Sequence, residues 1–328
     1  MPFLRDYLSF RGALCSIGGH WPRIGRESSR SAPRREKLLR WALVKLVPHP
    51  SRFSTLVRLG KLAKPLLPTA LKAKIPTPRP AGTWPAPIGR RRMLVLAGCI
   101  QSVATPATNA AAARVLSRRL GIDLIEVPEA GCCGAAAYHL NAQADGLAAM
   151  RRNIDAWWPE IESGVEAILI NASGCGTMVK GYGEMLHGDF GYADKAARVA
   201  ALVRDPVEIL AELDPGPLGW TGQGRKVAFH TPCTLQHGQQ LNNRVEPILA
   251  RFGFVITPVS DAHLCCGSAG TYSLTQPALS RQLQDRKIAV LESGRPDIIA
   301  TANVGCQLHL EAATCTPVVH WLELLDED

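Results

Sequence analysis

The chain has 328 residues, 46% of them hydrophobic, with ten cysteines and a formal net charge of +9. It has room for about two domains of ordinary size and shows no uninterrupted apolar run of spanning length, so no transmembrane helix is expected. The charge is unevenly divided: residues 1–92 carry 20 Lys/Arg against 3 Asp/Glu, and residues 93–328 carry 17 against 25. The acidic body lacks the footprint of a nucleic-acid binder, and no nucleic-acid partner is expected. The basic leader suits an acidic partner protein or an anionic membrane face.

In chain order, residues 1–32 are rich in Arg and Ser and poor in acids, a composition shared with organellar transit peptides, and Cys15 within them reads as a bystander. Residues 33–75 read as a helical connector, since the apolar spacing from Glu36 to Val47 is that of an amphipathic helix ended by Pro48. Pro76, Pro78, Pro80, Pro85 and Pro87 make 76–89 an extended linker. Strand and helix then alternate: a strand over Met93–Ala97, a helix over Asn109–Leu120 closed by Gly121, a strand over Asp123–Val127, a long helix from Asn141 to Trp158 stopped by Pro159, and a strand over Ala167–Asn171. The same order returns as a strand over Lys226–Phe229, a helix over Val245–Phe252 ended by Gly253, a strand over Phe254–Thr257, a helix from Gln276 to Leu291, and strands over Asp297–Ala300 and Pro317–His320. Alternation of this kind implies parallel sheets covered on both faces. The expected fold is α/β, two tandem βαβ-type domains at 93–212 and 225–328 behind a basic leader, connector and linker at 1–92.

Eight cysteines repeat within this frame. Cys99, Cys132, Cys133 and Cys175 recur as Cys233, Cys265, Cys266 and Cys306, with shifts of 134, 133, 133 and 131 residues. Each set falls just past the carboxyl ends of strands, the rim where parallel α/β sheets bind ligands, so thiols some 75 residues apart in sequence can converge. Four thiols at matched spacing point to a soft metal or an iron–sulfur cluster, with zinc and redox or structural thiols as alternatives. A disulfide framework fits short secreted chains instead. Gly98, Gly131, Gly134, Gly174 and Gly176 flank the first set and Gly267 and Gly305 the second, as a backbone turning sharply beside a bulky inorganic core requires. No Walker loop, dinucleotide fingerprint or Ser-His-Asp set is visible, and no catalytic residue is assigned.

Gly131-Cys-Cys-Gly134 and Leu264-Cys-Cys-Gly267, each with a Cys upstream and another downstream, resemble the cysteine-rich CCG domain found in heterodisulfide reductases and in succinate-, lactate- and glycolate-oxidising complexes. The strings Asn109-Ala-Ala-Ala-Ala-Arg114, Tyr138-His-Leu-Asn-Ala142, Arg151 to Trp158, Ala172-Ser-Gly-Cys-Gly176 and Asn303-Val-Gly-Cys-Gln-Leu308 narrow the resemblance to iron–sulfur subunits of the glycolate oxidase type. The resemblance implies an oxidoreductase subunit that passes electrons from FAD-containing subunits toward a quinone-linked acceptor, inactive alone, cytoplasmic, with peripheral contact at the inner membrane face. It implies iron–sulfur clusters, [4Fe–4S] in type, held by the eight repeated cysteines, with zinc the alternative at one repeat. Relatives of this type begin with a ferredoxin-like region of C-x₂-C-x₂-C-x₃-C-P runs, which this chain lacks. A shortened or frame-shifted product, or a separate ferredoxin-like polypeptide, is the expectation that follows. The final Cys-x-x-Cys of related domains is also missing, its last position being Met178 in one repeat and His309 in the other. His309 is therefore a candidate nitrogen ligand in the second set.

Four histidines flank the sets: His139 and His309 follow them, while His230 and His263 precede second-set cysteines by three and two residues. Each is a candidate hydrogen-bond partner of sulfur, against the alternative of ordinary packing or solvation. Cys315, before the last strand, is assigned to packing, as are Trp157 and Trp158 at a helix end.

Overall fold

A computed structural model describes residues 34–66, 75–77, 79–89, 91–211 and 222–326. The segment 1–32 with Cys15, the connector's 67–74 and Pro78 lie outside the described residues. Two four-stranded, wholly parallel sheets organise the rest. The first has β1 (Arg91–Val95), β2 (Ile122–Glu126), β3 (Ile168–Leu169) and β4 (Val203–Arg204) in the order β2-β1-β3-β4. The second repeats it with β5 (Lys226–His230), β6 (Val255–Ile256), β7 (Ile298–Thr301) and β8 (Val318–His320) in the order β6-β5-β7-β8.

The helices are α1 (Arg34–Leu46), α2 (Pro50–Ala63), α3 (Pro106–Leu120), α4 (Ala135–His139), α5 (Gln143–Glu162), α6 (Ser173–Lys180), α7 (Val245–Arg251), α8 (Pro277–Glu292) and α9 (Val304–Glu311), with shorter helical turns between them. Gly121 ends α3 at φ +61°, the left-handed conformation expected there. Helix α5 does not stop at Pro159 as expected but runs to Glu162. A proline so near the end removes one N–H bond, and its own carbonyl still accepts from Ser163 N at 3.0 Å.

The period-2 alternation of the strands decides which helix covers which face. Met93, Val95, Ala167 and Leu169 point inward with Ala112, Val115 and Leu116 of α3, and they share one apolar cluster with Val227, Phe229, Ala300, Val319 and with Val245, Ile248 and Leu249 of α7. Leu94, Leu96, Ile168 and Ile170 point outward beneath Met150, Ile154, Trp157 and Ile161 of α5. In the second sheet Ala228, Ile299 and Val318 do the same beneath Ile288 and Leu291 of α8. The inner faces of both repeats thus close on a common core, with α3 and α7 between the sheets, and the cysteine-bearing rims lie at corresponding edges.

Hydrogen bonds fasten this interface. Ser173 N donates to Ala302 O at 3.0 Å, Ser173 Oγ and Thr234 Oγ1 are 2.8 Å apart, and Thr108 Oγ1 donates to Glu323 Oε1 at 2.7 Å. Arg114 and Asp326 form a largely buried ion pair. His320 Nε2 lies 3.0 Å from Asn171 O while its Nδ1 accepts from Leu322 N at 3.3 Å. The 76–89 stretch is extended, as expected, and strapped to both repeats: Arg79 pairs with Glu323 at 3.3 Å, Arg114 donates to the carbonyls of Ala81 and Thr83 at 3.0 Å, and Asp123 accepts from Ile88 N and Gly89 N.

The amphipathic helix is found as α1, and it docks on its own chain. Val44 packs against Ala137 and Leu140 around α4, and Lys45 reaches Asp145 at 3.2 Å. Leu38, Trp41, Leu59 and Leu62 of α1 and α2 remain exposed. No helix among the described residues is long and apolar enough to cross a membrane.

Candidate metal centres

Each thiol set is assembled from the loops that follow β1, β2 and β3, or β5, β6 and β7. Cys99 and Cys233 sit at the first turn after the leading strand, the Cys-Cys pairs precede a glycine turn, and Cys175 and Cys306 lie in the first turns of α6 and α9. That placement puts Cys175 and Cys306 at the positive ends of two helix dipoles, which favours negative charge there.

The structure brings the predicted members of each set together. Cys99 Sγ and Cys132 Sγ are 3.3 Å apart. Cys132 is held down to about 3 by hydrogen bonds from the Cys133 and Cys99 thiols, helped by the Gly134 N–H, while the same contacts and burial push Cys99 and Cys133 up. Cys133 also reaches Cys175. The second set repeats this pattern: Cys265 is held down to about 3 by the Cys233 and Cys266 thiols and accepts Gly267 N–H at 3.2 Å, while Cys233 and Cys266 are pushed up. Cys306 is held low by the Cys266 thiol, with His230 and Asn303 adding to the effect against the cost of burial. The clustered sulfurs of each set therefore share protons, the ligand chemistry that a soft metal exploits by displacing those protons. None of the eight sulfurs is engaged in a disulfide.

The two glycine turns match. Gly134 and Gly267 both have φ +89°, and a Cβ there would lie 2.8 Å from Gly146 O and 2.4 Å from Ser280 O. Only glycine lets the Cys-Cys turn pass that close to the covering helix. Around the first turn, Asn153 Nδ2 donates to Cys132 O at 3.0 Å, Asn153 Oδ1 accepts from Gly131 N at 3.0 Å, and Tyr182 OH donates to Cys133 O at 2.8 Å. Around the second, Ser280 Oγ donates to Gly267 O at 2.8 Å and Ser268 Oγ to Gly305 O at 2.8 Å. Lys287, almost wholly buried, donates to Ala262 O at 3.0 Å. Its pKa is lowered by burial, against the opposing pull of all four second-set sulfurs. Neither the Asn153 and Tyr182 clamp nor this buried cation was read from the sequence, where each looks like an ordinary helix residue.

Asn303 links the sets: its Oδ1 accepts from Gly174 N at 3.3 Å, beside Cys175, and its Nδ2 donates to Cys306 Sγ at 3.5 Å. Of the flanking histidines, His139 and His263 are exposed. His309 places Nε2 3.4 Å from Ser280 Oγ, but His230 supplies the nitrogen nearest the second-set sulfurs. His230, Cys266 and Cys306, all buried, bring one ligand atom each within 4.8 Å of one another. Cys315 is exposed rather than packed, because the turn after α9 carries it clear of β8. Trp157 is fully buried, whereas Trp158 is partly exposed beneath Lys195.

Tandem parallel α/β repeats with a clustered, largely buried four-thiol set at each rim define a soft-metal or electron-transfer module. The sequence comparisons agree: the model of the cysteine-rich CCG domain matches residues 93–180 and 227–311. Residues along 93% of the chain are also 52% identical to the glycolate oxidase iron–sulfur subunit of Escherichia coli, covering 75% of that protein. The chain belongs to the CCG family and, within it, to the glycolate oxidase iron–sulfur subunits. More distant relatives are a probable glycolate oxidase iron–sulfur subunit of Bacillus subtilis, 27% identical over 68% of this chain and 50% of that one, and the lactate utilization protein A of the same organism, 30% identical over 62% of this chain and 84% of that one.

Proposed function

We propose that the chain is the iron–sulfur electron-transfer subunit of a glycolate-oxidising complex. The observation that carries this reading is the pair of largely buried four-thiol sets, each with sulfurs in mutual contact at a sheet rim, in a chain of this family. The donor set fits an iron–sulfur group: soft thiolates, converging helix starts, and glycine turns that leave space where a Cβ would clash. Cys99, Cys132, Cys133 and Cys175 would hold one group, and Cys233, Cys265, Cys266 and Cys306 the other. When bound, such a group supplies one-electron steps.

The chain's own residues do the rest. Asn153 and Tyr182 fix the first Cys-Cys turn, Ser280 fixes the second, and Lys287 places a buried positive charge beside an anionic site. Cleavage of the glycolate C–H bond is assigned to FAD-containing partner subunits, the division of labour that the family resemblance implies. The basic connector, with Trp41, Leu38, Leu59 and Leu62 exposed on α1 and α2, supports docking to an acidic partner or to the inner face of the membrane from the cytoplasm. A quinone-linked acceptor and a separate ferredoxin-like polypeptide complete the proposed path.

The second reading is a zinc-stabilised protein in which the thiolates hold the fold; the mixed Cys/His group of the second repeat favours it there. Anaerobic purification separates the two. Brown protein with iron and acid-labile sulfide is expected; stoichiometric zinc without sulfide sinks the electron-transfer reading.

A further inference from the structure

The shifts that align the cysteines also align their neighbours. Leu96 matches His230 by the 134-residue shift of Cys99 and Cys233, and Ile170 matches Thr301 by the 131-residue shift of Cys175 and Cys306. All four are buried at the ends of the two central strands of their sheet. In the first repeat the pair is apolar, and both residues pack in the outer cluster with Cys133. In the second repeat it is polar: His230 and Thr301 are register partners on β5 and β7, on the face that carries Ala228, Ile299, Cys266 and Cys306.

The exchange of Leu for His is costly unless something repays it. His230 is 1% exposed, and its ring nitrogens meet no oxygen or nitrogen partner; the polar group the ring faces is the Cys306 sulfur, while Thr301 Oγ1 is unpartnered. Buried polar groups are nearly always paired, and a buried imidazole that meets only thiol sulfur is placed as a metal ligand would be. The ring lies against Cys306, within the 4.8 Å group that includes Cys266. Imidazole and thiolate together suit zinc, iron or an iron–sulfur group.

We infer that His230 is a direct ligand of the metal centre in the second repeat, so that the two repeats hold chemically different centres: all-thiolate in the first, mixed nitrogen and sulfur in the second. This rests on the reading that the thiol sets bind metal, but on neither iron nor zinc. A neutral imidazole donor at one centre and not at the other changes the charge and donor strength around that centre alone, which separates the potentials of two otherwise similar iron–sulfur centres.

The test uses the full chain, purified anaerobically, with metal and sulfide analysis and X-ray absorption at the edge of whichever metal is found. The wild-type protein should show histidine outer-shell scattering. His230→Leu, which installs the residue of the first repeat, should lose that scattering and about half of the metal. His230→Cys should keep the metal, lose the scattering and, if the metal is iron, lower the midpoint potential of one centre alone. His309→Gln should leave the scattering intact. Wild-type protein with iron and sulfide but no histidine scattering overturns the inference and leaves the electron-transfer reading standing. Histidine scattering at a zinc edge without iron supports the inference and removes that reading, and a chain that binds no metal overturns both. Because the wild-type spectrum decides first, failure of His230→Leu to fold does not block the test.

Discussion

Gly121, Gly134 and Gly267 all adopt positive φ, at +61°, +89° and +89°, but differ in what a methyl group would meet. Beside Gly121 there is nothing within 4 Å, beside Gly134 the carbonyl of Gly146 at 2.8 Å, and beside Gly267 the carbonyl of Ser280 at 2.4 Å. An alanine at Gly121 therefore carries only the left-handed penalty, about 1–2 kcal/mol. At Gly134 and Gly267 the overlap adds about 1–3 kcal/mol of overpacking. The larger share falls on Gly267, where the approach to the covering helix is closer and both helices are anchored in the core. The expected order of cost is Gly121→Ala, then Gly134→Ala, then Gly267→Ala, from about 1 to about 4 kcal/mol. Urea unfolding followed by circular dichroism reads the order, and metal analysis of each variant reads a second consequence: Gly134→Ala and Gly267→Ala should each deplete their own repeat, while Gly121→Ala keeps full metal. Equal costs at the three sites, or full metal in Gly267→Ala, would refute the claim that close approach of the Cys-Cys turn to its helix builds the site.

Cys132→Ser and Cys265→Ser should each remove the metal of their own repeat and leave most of the other, because each set is assembled from loops of one sheet; loss of both from either change would mean a shared site. The exposed Cys315→Ser should leave metal content unchanged. His320 is buried and neutral, its pKa lowered by desolvation to about 4 against the ordinary 6.5. The unfolded chain then binds a proton that the folded chain refuses between those values, so the His320 contribution to stability is constant above pH 6.5 and falls by up to about 3 kcal/mol as pH drops toward 4. Asp205, buried and pushed up to about 7, works in the opposite sense, so the His320 contribution is the difference between the wild-type and His320→Gln urea midpoints across pH 7.5 to 4.5. A difference that does not change with pH would remove His320 from the account. The isolated chain should show no glycolate-dependent dye reduction, and activity should return only with flavin subunits; glycolate oxidation by the chain alone would overturn the assignment.

The cysteine register was legible because thiolates at matched spacing have few other uses, and the parallel α/β fold followed from alternating apolar runs and helices. Other features were not. β4 is two residues long, too short to carry a pattern, and was missed, whereas β3 and β6, also two residues each, lie inside the longer runs expected at 167–171 and 254–257. Alternation in Met93–Val95 shows that both faces are covered, yet it cannot say that one face meets the other repeat. The docking of α1 depends on Val44 meeting Ala137 and Leu140, residues whose proximity only the folded chain reveals. His230 looked no different from His263 in the sequence; β5 buries the first at its last position, and an exposed turn carries the second.

The shared inner core has a consequence for electron transfer that either repeat alone would not have. If the two rims were joined by a linker, their separation would vary with every domain motion, and so would any transfer rate between them. Here Val95, Leu116, Val245 and Phe229 belong to one apolar cluster, and Ser173, Asn303 and His320 stitch the rims directly. Rearranging the repeats would expose that cluster to water, at about 25 cal/mol for each Å² of apolar surface. The fold therefore holds the two thiol sets at a fixed separation, with Asn303 hydrogen-bonded beside Cys175 on one side and to Cys306 on the other. The two sites share one backbone plan, but His230 stands where the first repeat has Leu96, and that makes them unlike, which is what a directed path between two centres requires.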